Sequence, residues 1–242
     1  MFRRRSNSLN NQENDSLQRE AKVNELKASF GPLSGRSLQY CTDACLRRYL
    51  EARNWNFDKS KKMLEETLKW RSTYKPEEIC WSEVAVEGET GKVYRANFHD
   101  RHGRTVLILR PGKQNTSSHD NQIRHLVYLI ENAILNLPEG QEQMIVKYFL
   151  DSKTFQKVKF VYPKNQDSVE LMRSYFDAEN LPTDFGGRAK LEYDHEEFSR
   201  SMAQDDVKAA SLWGFDKGCH ISNGYSGAEV APEPVRLAPP AS

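Results

Sequence analysis

Cysteine is scarce: Cys41, Cys45, Cys80 and Cys219 are the only four in 242 residues. None forms a C-x-x-C pair, and the spacing of Cys41 and Cys45 on a helical stretch suits neither a disulfide framework nor a zinc site. Long apolar runs are also missing. Nothing approaches the roughly 20 residues needed to span a bilayer, and the N-terminus carries no signal-peptide core. Nor does one sign of charge dominate, since 35 Lys and Arg face 34 Asp and Glu. No overall field draws in nucleic acid or an anionic membrane from a distance, so any anion site must be local. Neither G-x-x-x-x-G-K-[ST] nor G-x-G-x-x-G occurs, which removes the usual nucleotide cradles. These absences leave an ordinary globular chain in a reducing compartment, expected to need no cofactor, metal or nucleic acid.

Residues 1 to about 20 are Asn-, Ser- and charge-rich and bury too little to offset ordering entropy, so they read as disordered. Arg3-Arg4-Arg5 followed by Ser6 and Ser8 reads as a solvated basic leader. Val23, Leu26 and Phe30 then recur at helical spacing until Gly31-Pro32. Thr42 or Asp43 caps a short helix carrying Leu46, Tyr49 and Leu50, and Asn54-Trp55-Asn56 breaks it. Asp58 caps the next, which turns Met63, Leu64, Leu68 and Trp70 inward and pairs Glu65 with Lys69 outside.

Past Gly88 and Gly91 the period changes. Residues 94–98 and 105–109 are β-like runs around His99-Asp100-Arg101-His102-Gly103, a hairpin. From Asn121, Ile123, Leu126, Val127, Ile130, Ala133, Ile134 and Leu137 form the clearest amphipathic helix, stopped by Pro138-Glu139-Gly140. Residues 145–150 are a short apolar piece, 158–162 a strand candidate, 168–176 a helix, and 205–212 a further helix before a Pro- and Gly-rich tail.

Few residues carry chemistry. His99 and His102 flank Asp100 in a turn where polar residues are expected, with no nucleophile in context. His195, between Asp194 and Glu196-Glu197, reads as part of a solvated acidic loop. No catalytic residue is assigned, and no enzyme is expected. Arg53 continues the stripe of Leu46, Tyr49 and Leu50, which sends its guanidinium inward; the alternative is a bond to the last carbonyls of its own helix. Thr154 and Lys157 lie three apart on a helical turn, a hydroxyl and an ammonium on one face, as a phosphate would want.

In order along the chain, 46–55 (L-R-R-Y-L-E-A-R-N-W) and Lys69-Trp70-Arg71 resemble the helical N-module of CRAL-TRIO proteins. Glu179-Asn180-Leu181-Pro182, followed two residues later by Phe185-Gly186-Gly187, is similar to the segment that closes that family's lipid-binding domain. Tyr148-Phe149-Leu150-Asp151 looks like the stretch before it. The resemblance covers about 38 to 200 and is nearest the phosphatidylinositol transfer, Sec-fourteen-like branch. It implies that Arg53, Thr154 and Lys157 hold the phosphate of a phospholipid, phosphatidylinositol or phosphatidylcholine.

Between the amphipathic helix and F-L-D that branch has further strands, a glutamate-bearing segment and most of a gating helix. Here Gln141-Glu142-Gln143-Met144 runs straight into Ile145-Val146-Lys147, so several dozen residues lack a counterpart near 144–145. The expectation is a mixed α/β fold: a leader with a short helix (1–37), an N-terminal helical module (38–75), a lipid-binding lobe with a diminished sheet of about three strands (85–200), and a C-terminal helix and tail (201–242). The expected protein is a cytoplasmic monomer that visits membrane surfaces and transfers phospholipid, impaired by the gap. The alternative is an interaction or regulatory protein that keeps the family surface without holding lipid.

Overall fold

The computed structural model describes residues 3–138, 144–147, 165–183, 186–190 and 192–215, with the side chains of 3–14 and 145–147 outside that description. The strand candidate at 158–162, the F-L-D stretch, Thr154, Lys157 and the tail lie outside the described residues.

Helices α1 (Arg3–Ala28), α2 (Gly35–Tyr40), α3 (Asp43–Glu51) and α4 (Phe57–Tyr74) form the N-terminal module. Its core is Val23, Leu26, Cys41, Leu46, Leu50 and Leu64. The leader expected to be disordered is helical from Arg3. It prolongs a helix that Val23 and Leu26 anchor, and an Arg19–Asp15 i,i+4 pair at 2.8 Å supports it. Thr42 caps α3 by accepting from the Cys45 N–H at 3.2 Å. Asn56, rather than Asp58, caps α4, accepting from the Lys59 N–H at 3.0 Å, because the break uses Asn54 and Trp55 in left-handed conformation and the helix restarts at Phe57. Cys41 and Cys45 are buried and free, as their spacing suggests, whereas Cys80 is disulfide-bonded, which the default of a reducing compartment did not anticipate.

A 3₁₀ turn (Pro76–Glu78) and α5 (Trp81–Gly88) lead to β1 (Val93–His99) and β2 (Thr105–Leu109), then α6 (His119–Leu135), β3 (Met144–Lys147), α7 (Gln166–Tyr175) and α8 (His195–Trp213). The strands form one sheet in the order β1-β2-β3. The first pair is antiparallel, and the second is parallel with Thr105 opposite Met144. The expected architecture, a helical module on an α/β lobe with a small sheet, is the one observed. β3 starts where the sequence suggests a join: the short apolar piece after Met144 is a strand on β2.

Sheet residues Tyr94, Ala96, Val106 and Ile108 pack with Phe176 and Leu181, under Val169 and Met172 of α7. The tight turn after Leu181 needs both its glycines. Gly186 has φ +76°, and a Cβ on Gly187 would lie 1.9 Å from the Leu181 carbonyl oxygen. The Ala189 N–H bonds that carbonyl at 2.9 Å, so it cannot retreat.

A second core joins Ile79, Trp81, Val84, Tyr128, Leu129 and Met202 from α5, α6 and α8. α6 thus buries His125, Tyr128, Leu129, Asn132 and Ala133. The stripe expected to be buried is only partly covered: Ile123 is 54% and Ile134 47% exposed, and Leu126, Val127, Ile130 and Leu137 are half-buried. The helix packs on its other flank because α5 and α8 supply the surface there. α8 itself is longer than its expected core of 205–212, and it crosses the 200/201 boundary.

Module and lobe meet at Arg71, which is 7% exposed. Its guanidinium holds both oxygens of Glu131 of α6, at 2.7 and 3.0 Å, and Glu77 at 3.1 Å. It also lies 4.4 Å from the Tyr40 ring and 5.4 Å from that of Trp213. The residue turned inward at the end of α4 is therefore Arg71 rather than Trp70, which is 41% exposed and stacks on Tyr74 at 5.1 Å.

Arg71→Ala strands two carboxylates at this junction and is expected to cost about 3 to 5 kcal/mol of stability, read from urea unfolding. A loss under ~1 kcal/mol would show the hub to be dispensable. Gly187→Ala is expected to cost at least ~1 to 3 kcal/mol through overpacking against backbone, and an unchanged melting profile would contradict the turn geometry.

Candidate functional site

Of the three residues expected to hold a phosphate, the structure describes Arg53. Helix α3 ends at Glu51, so Arg53 leaves the stripe of Leu46 and Leu50 and is exposed. Its Nη1 donates to the Ala52 carbonyl at 3.0 Å. The inward course drawn from helical spacing fails because the helix stops two residues too soon. The adjoining turn gathers more cations: Lys22 Nζ donates to the Trp55 carbonyl at 2.9 Å, and the Arg19 guanidinium lies 5.2 Å from the Trp55 ring. Arg53 therefore sits on a basic, solvent-facing corner of the module. Thr154 and Lys157 are outside the described residues, so their relation to it remains an expectation.

The histidines are held by local structure. Asp100 accepts from the backbone N–H groups of His102 and Arg104, at 3.0 and 2.8 Å, and from Arg104 Nε at 2.7 Å. The Arg104 charge and these bonds prevail over burial and keep its carboxyl below the usual range. Asp194 to Glu197 is no loop: Asp194 caps α8, accepting from the Glu197 N–H at 2.9 Å. The signal was in the sequence, an Asp followed three residues later by Glu. His195 lies within 3.3 Å of the Tyr193 hydroxyl and 3.4 Å of that of Ser199.

A cleft of about 670 Å³ runs between β1 and residues 189–190 and 192–194. Its rim carries Glu179, Glu192, Asp194 and Glu197 against Lys190 and Arg95. Arg95 is committed elsewhere, to Asp205 at 2.7 Å and Asn132 at 2.9 Å. The cleft has room for a ligand but the wrong charge for a phosphate. Among the described residues no group of three or more His, Cys, Asp or Glu is placed to hold a metal, and no helix is long and apolar enough to cross a membrane.

Two buried titratable groups sit beneath this surface. Burial pushes the Asp206 carboxyl up to about 6, although the Trp81 N–H and the Tyr128 hydroxyl each bond it at 2.8 Å. Burial, with the Lys92 charge beside it, pulls the His125 imidazole down to about 4. Both belong to the packing of α5, α6 and α8.

This fold and these motifs define a class. Residues 22–66 match the CRAL/TRIO N-terminal domain and residues 88–146 the CRAL/TRIO domain. The second match ends within β3. Among relatives, the chain is 32% identical over 163 residues to the phosphatidylinositol transfer protein PDR17 of Saccharomyces cerevisiae, covering 63% of this chain and 46% of that protein. It is 26% identical over 211 residues to a CRAL-TRIO domain-containing protein of Schizosaccharomyces pombe, covering 66% of this chain and 20% of the relative. The chain thus spans under half the length of each.

The two buried groups oppose each other in pH. Folded Asp206 keeps a proton that the unfolded chain releases above its usual ~3.9, so its contribution to stability falls as pH rises toward 6. Folded His125 refuses a proton that the unfolded chain takes below ~6.5, so its contribution rises with pH over an overlapping window. Asp206→Asn removes the first group alone. The stability of the native chain minus that of the variant is expected to fall by about 3 kcal/mol between about pH 4 and 7, measured by urea unfolding across that range. Parallel profiles would show that Asp206 titrates normally.

Proposed function

We propose that this chain binds phospholipid, phosphatidylinositol or phosphatidylcholine, and exchanges it between membranes without catalysis. Arg53, Thr154 and Lys157 hold the phosphate. The observation that carries this reading is the match to both CRAL/TRIO domains together with likeness to a phosphatidylinositol transfer protein. The protein works in the cytoplasm as a monomer and meets membrane surfaces in passing.

Exchange is impaired, because the lobe lacks a central segment near 144–145. Three observations support that gap. The domain match stops at residue 146. The alignment to the S. pombe relative is longer than the share of this chain it uses, so the relative has residues within the aligned stretch that this chain lacks. The apolar stripe of α6 is left partly bare at Ile123 and Ile134. Without its full cover a pocket leaves acyl methylenes in water, each forfeiting about 0.8 kcal/mol. Half of one chain outweighs the 1.5 to 3 kcal/mol or so that a charge-assisted contact from Arg53 or Lys157 supplies.

The acidic character of the 670 Å³ cleft favours a second reading, an interaction or regulatory protein that no longer holds lipid. Native mass spectrometry of protein purified from cells separates the two, because a transfer protein carries stoichiometric phospholipid.

The deciding measurement is transfer of labelled phosphatidylinositol between vesicles by this chain and by a form with the family's segment restored between Met144 and Ile145, at equal folded concentration. The restored form is expected to transfer far faster, and Arg53→Ala, Thr154→Ala or Lys157→Ala in it to lower the rate by about tenfold or more each. Equal rates for the two forms would refute the impairment. Indifference to all three substitutions would remove the phosphate assignment.

A further inference from the structure

We propose that the outer edge of β1 is a docking site for an extended, basic peptide segment of another protein, which adds to the sheet as a strand beside β1. The Arg110 N–H bonds the Lys92 carbonyl, and the Asp100 N–H bonds the Arg104 carbonyl at 3.2 Å, so the even-numbered residues of β1 face β2 at both ends of the hairpin. In an antiparallel ladder the residues between them face the other way. Val93 and Arg95, which lie in regular register before the shift between Arg95 and His99, therefore present backbone N–H and C=O groups to the outer edge. Among the described strands none lies beside that edge, since the sheet order is β1-β2-β3.

The edge opens onto the 670 Å³ cleft, which all five residues from Tyr94 to Phe98 line. Residues of both sheet faces line it together, so the cleft meets the strand edge-on, as an added strand requires. One polar atom already lacks a mate there. Tyr94, 6% exposed, lines the cleft, and its buried Oη has no hydrogen-bond partner.

Charge selects the occupant. Arg95 is held by Asp205 at 2.7 Å and Glu179 by Arg188 at 2.6 Å, which leaves Glu192, Asp194 and Glu197 as exposed carboxylates on the far wall against the single charge of Lys190. A strand entering here meets the Tyr193 and Phe198 rings on one side and these carboxylates on the other. A segment alternating apolar with Lys or Arg fits both, whereas an acidic one is repelled.

The test is fluorescence anisotropy of the whole chain with a labelled hexapeptide of alternating lysine and valine, against its counterpart of alternating glutamate and valine. Saturable binding of the basic peptide at least about tenfold tighter than that of the acidic one is expected. Val93→Pro, which removes an outward N–H at the first residue of an edge strand, where proline is tolerated, is expected to weaken it by about tenfold or more with the circular dichroism unchanged. Should that variant misfold, the exposed pair Glu192→Lys with Glu197→Lys decides, and is expected to reverse the preference. Equal affinity for the two peptides, or binding indifferent to these substitutions, overturns the proposal. Binding of neither peptide overturns it as well, and a sedimentation change with Val93→Pro in that case shows that the edge receives a second copy.

Discussion

Arg71 lies between four elements far apart in the chain: Tyr40 closing α2, Glu77 in the 3₁₀ turn, Glu131 of α6 and Trp213 ending α8. A buried guanidinium is tolerable only where carboxylates neutralise it and its five donors find acceptors. Glu131 takes two of those donors in fork geometry, which a lysine could not reproduce. Tyr40 and Trp213 add faces that favour a desolvated cation. The orientation of the helical module on the lobe follows from this one side chain. Arg36, which reaches Glu77 at 3.5 Å and also pairs with Glu78, ties the start of α2 to the same turn. Burying the positive charge fixes the relative placement of elements that share little apolar surface.

Reading the sequence succeeded where local rules set the outcome. The hairpin of β1 and β2, the cap at Thr42 and the core positions Val23, Leu26, Leu46, Leu50 and Leu64 follow from period and capping chemistry. It failed where tertiary context chose between faces. The apolar stripe of α6 points to Ile123 and Ile134, yet the helix buries His125, Tyr128 and Asn132, because α5 and α8 provide Trp81, Met202 and paired carboxylates on that flank. Similarly, Trp70 has the larger apolar surface but Arg71 goes inside, since two glutamates distant in sequence await it. Arg53 was misdirected by one turn of helix that never forms. Its phosphate role, with Thr154 and Lys157, rests on family resemblance alone.

The partly bare flank of α6 explains how a lobe with a small sheet still holds together. Its two cores are separable. One lies between the sheet and α7, closed by the Gly186-Gly187 turn. The other lies between α5, α6 and α8 and touches the sheet mainly through β1, where Arg95, Asn132 and Asp205 form a buried triad. Of the apolar stripe of α6, Val127 packs against the second core and Ala133 is buried, while Ile123 and Ile134 stay outside both. The contacts that position α6 come from α5 and α8, so they do not depend on what covers Ile123 and Ile134. The cost is exposure of side chains such as Ile123, each worth about 1.5 to 3 kcal/mol if fully buried, so a loss of stability rather than of architecture.

The same separation bears on where an anionic headgroup could be held. The described cleft of the lobe is acidic and would repel a phosphate, whereas the turn after α3 brings Arg19, Lys22 and Arg53 to one corner of the module. Arg53 there gives one hydrogen bond to a neutral carbonyl at the end of its own helix. A phosphate offers more acceptor oxygens and a full charge, and charge-assisted bonds are roughly twice as strong as neutral ones. Exchanging the carbonyl for a phosphate requires only rotation of an exposed side chain. An exposed Arg53 is therefore compatible with binding, provided that the ligand brings its headgroup to the rim of the module while its acyl chains seek cover elsewhere.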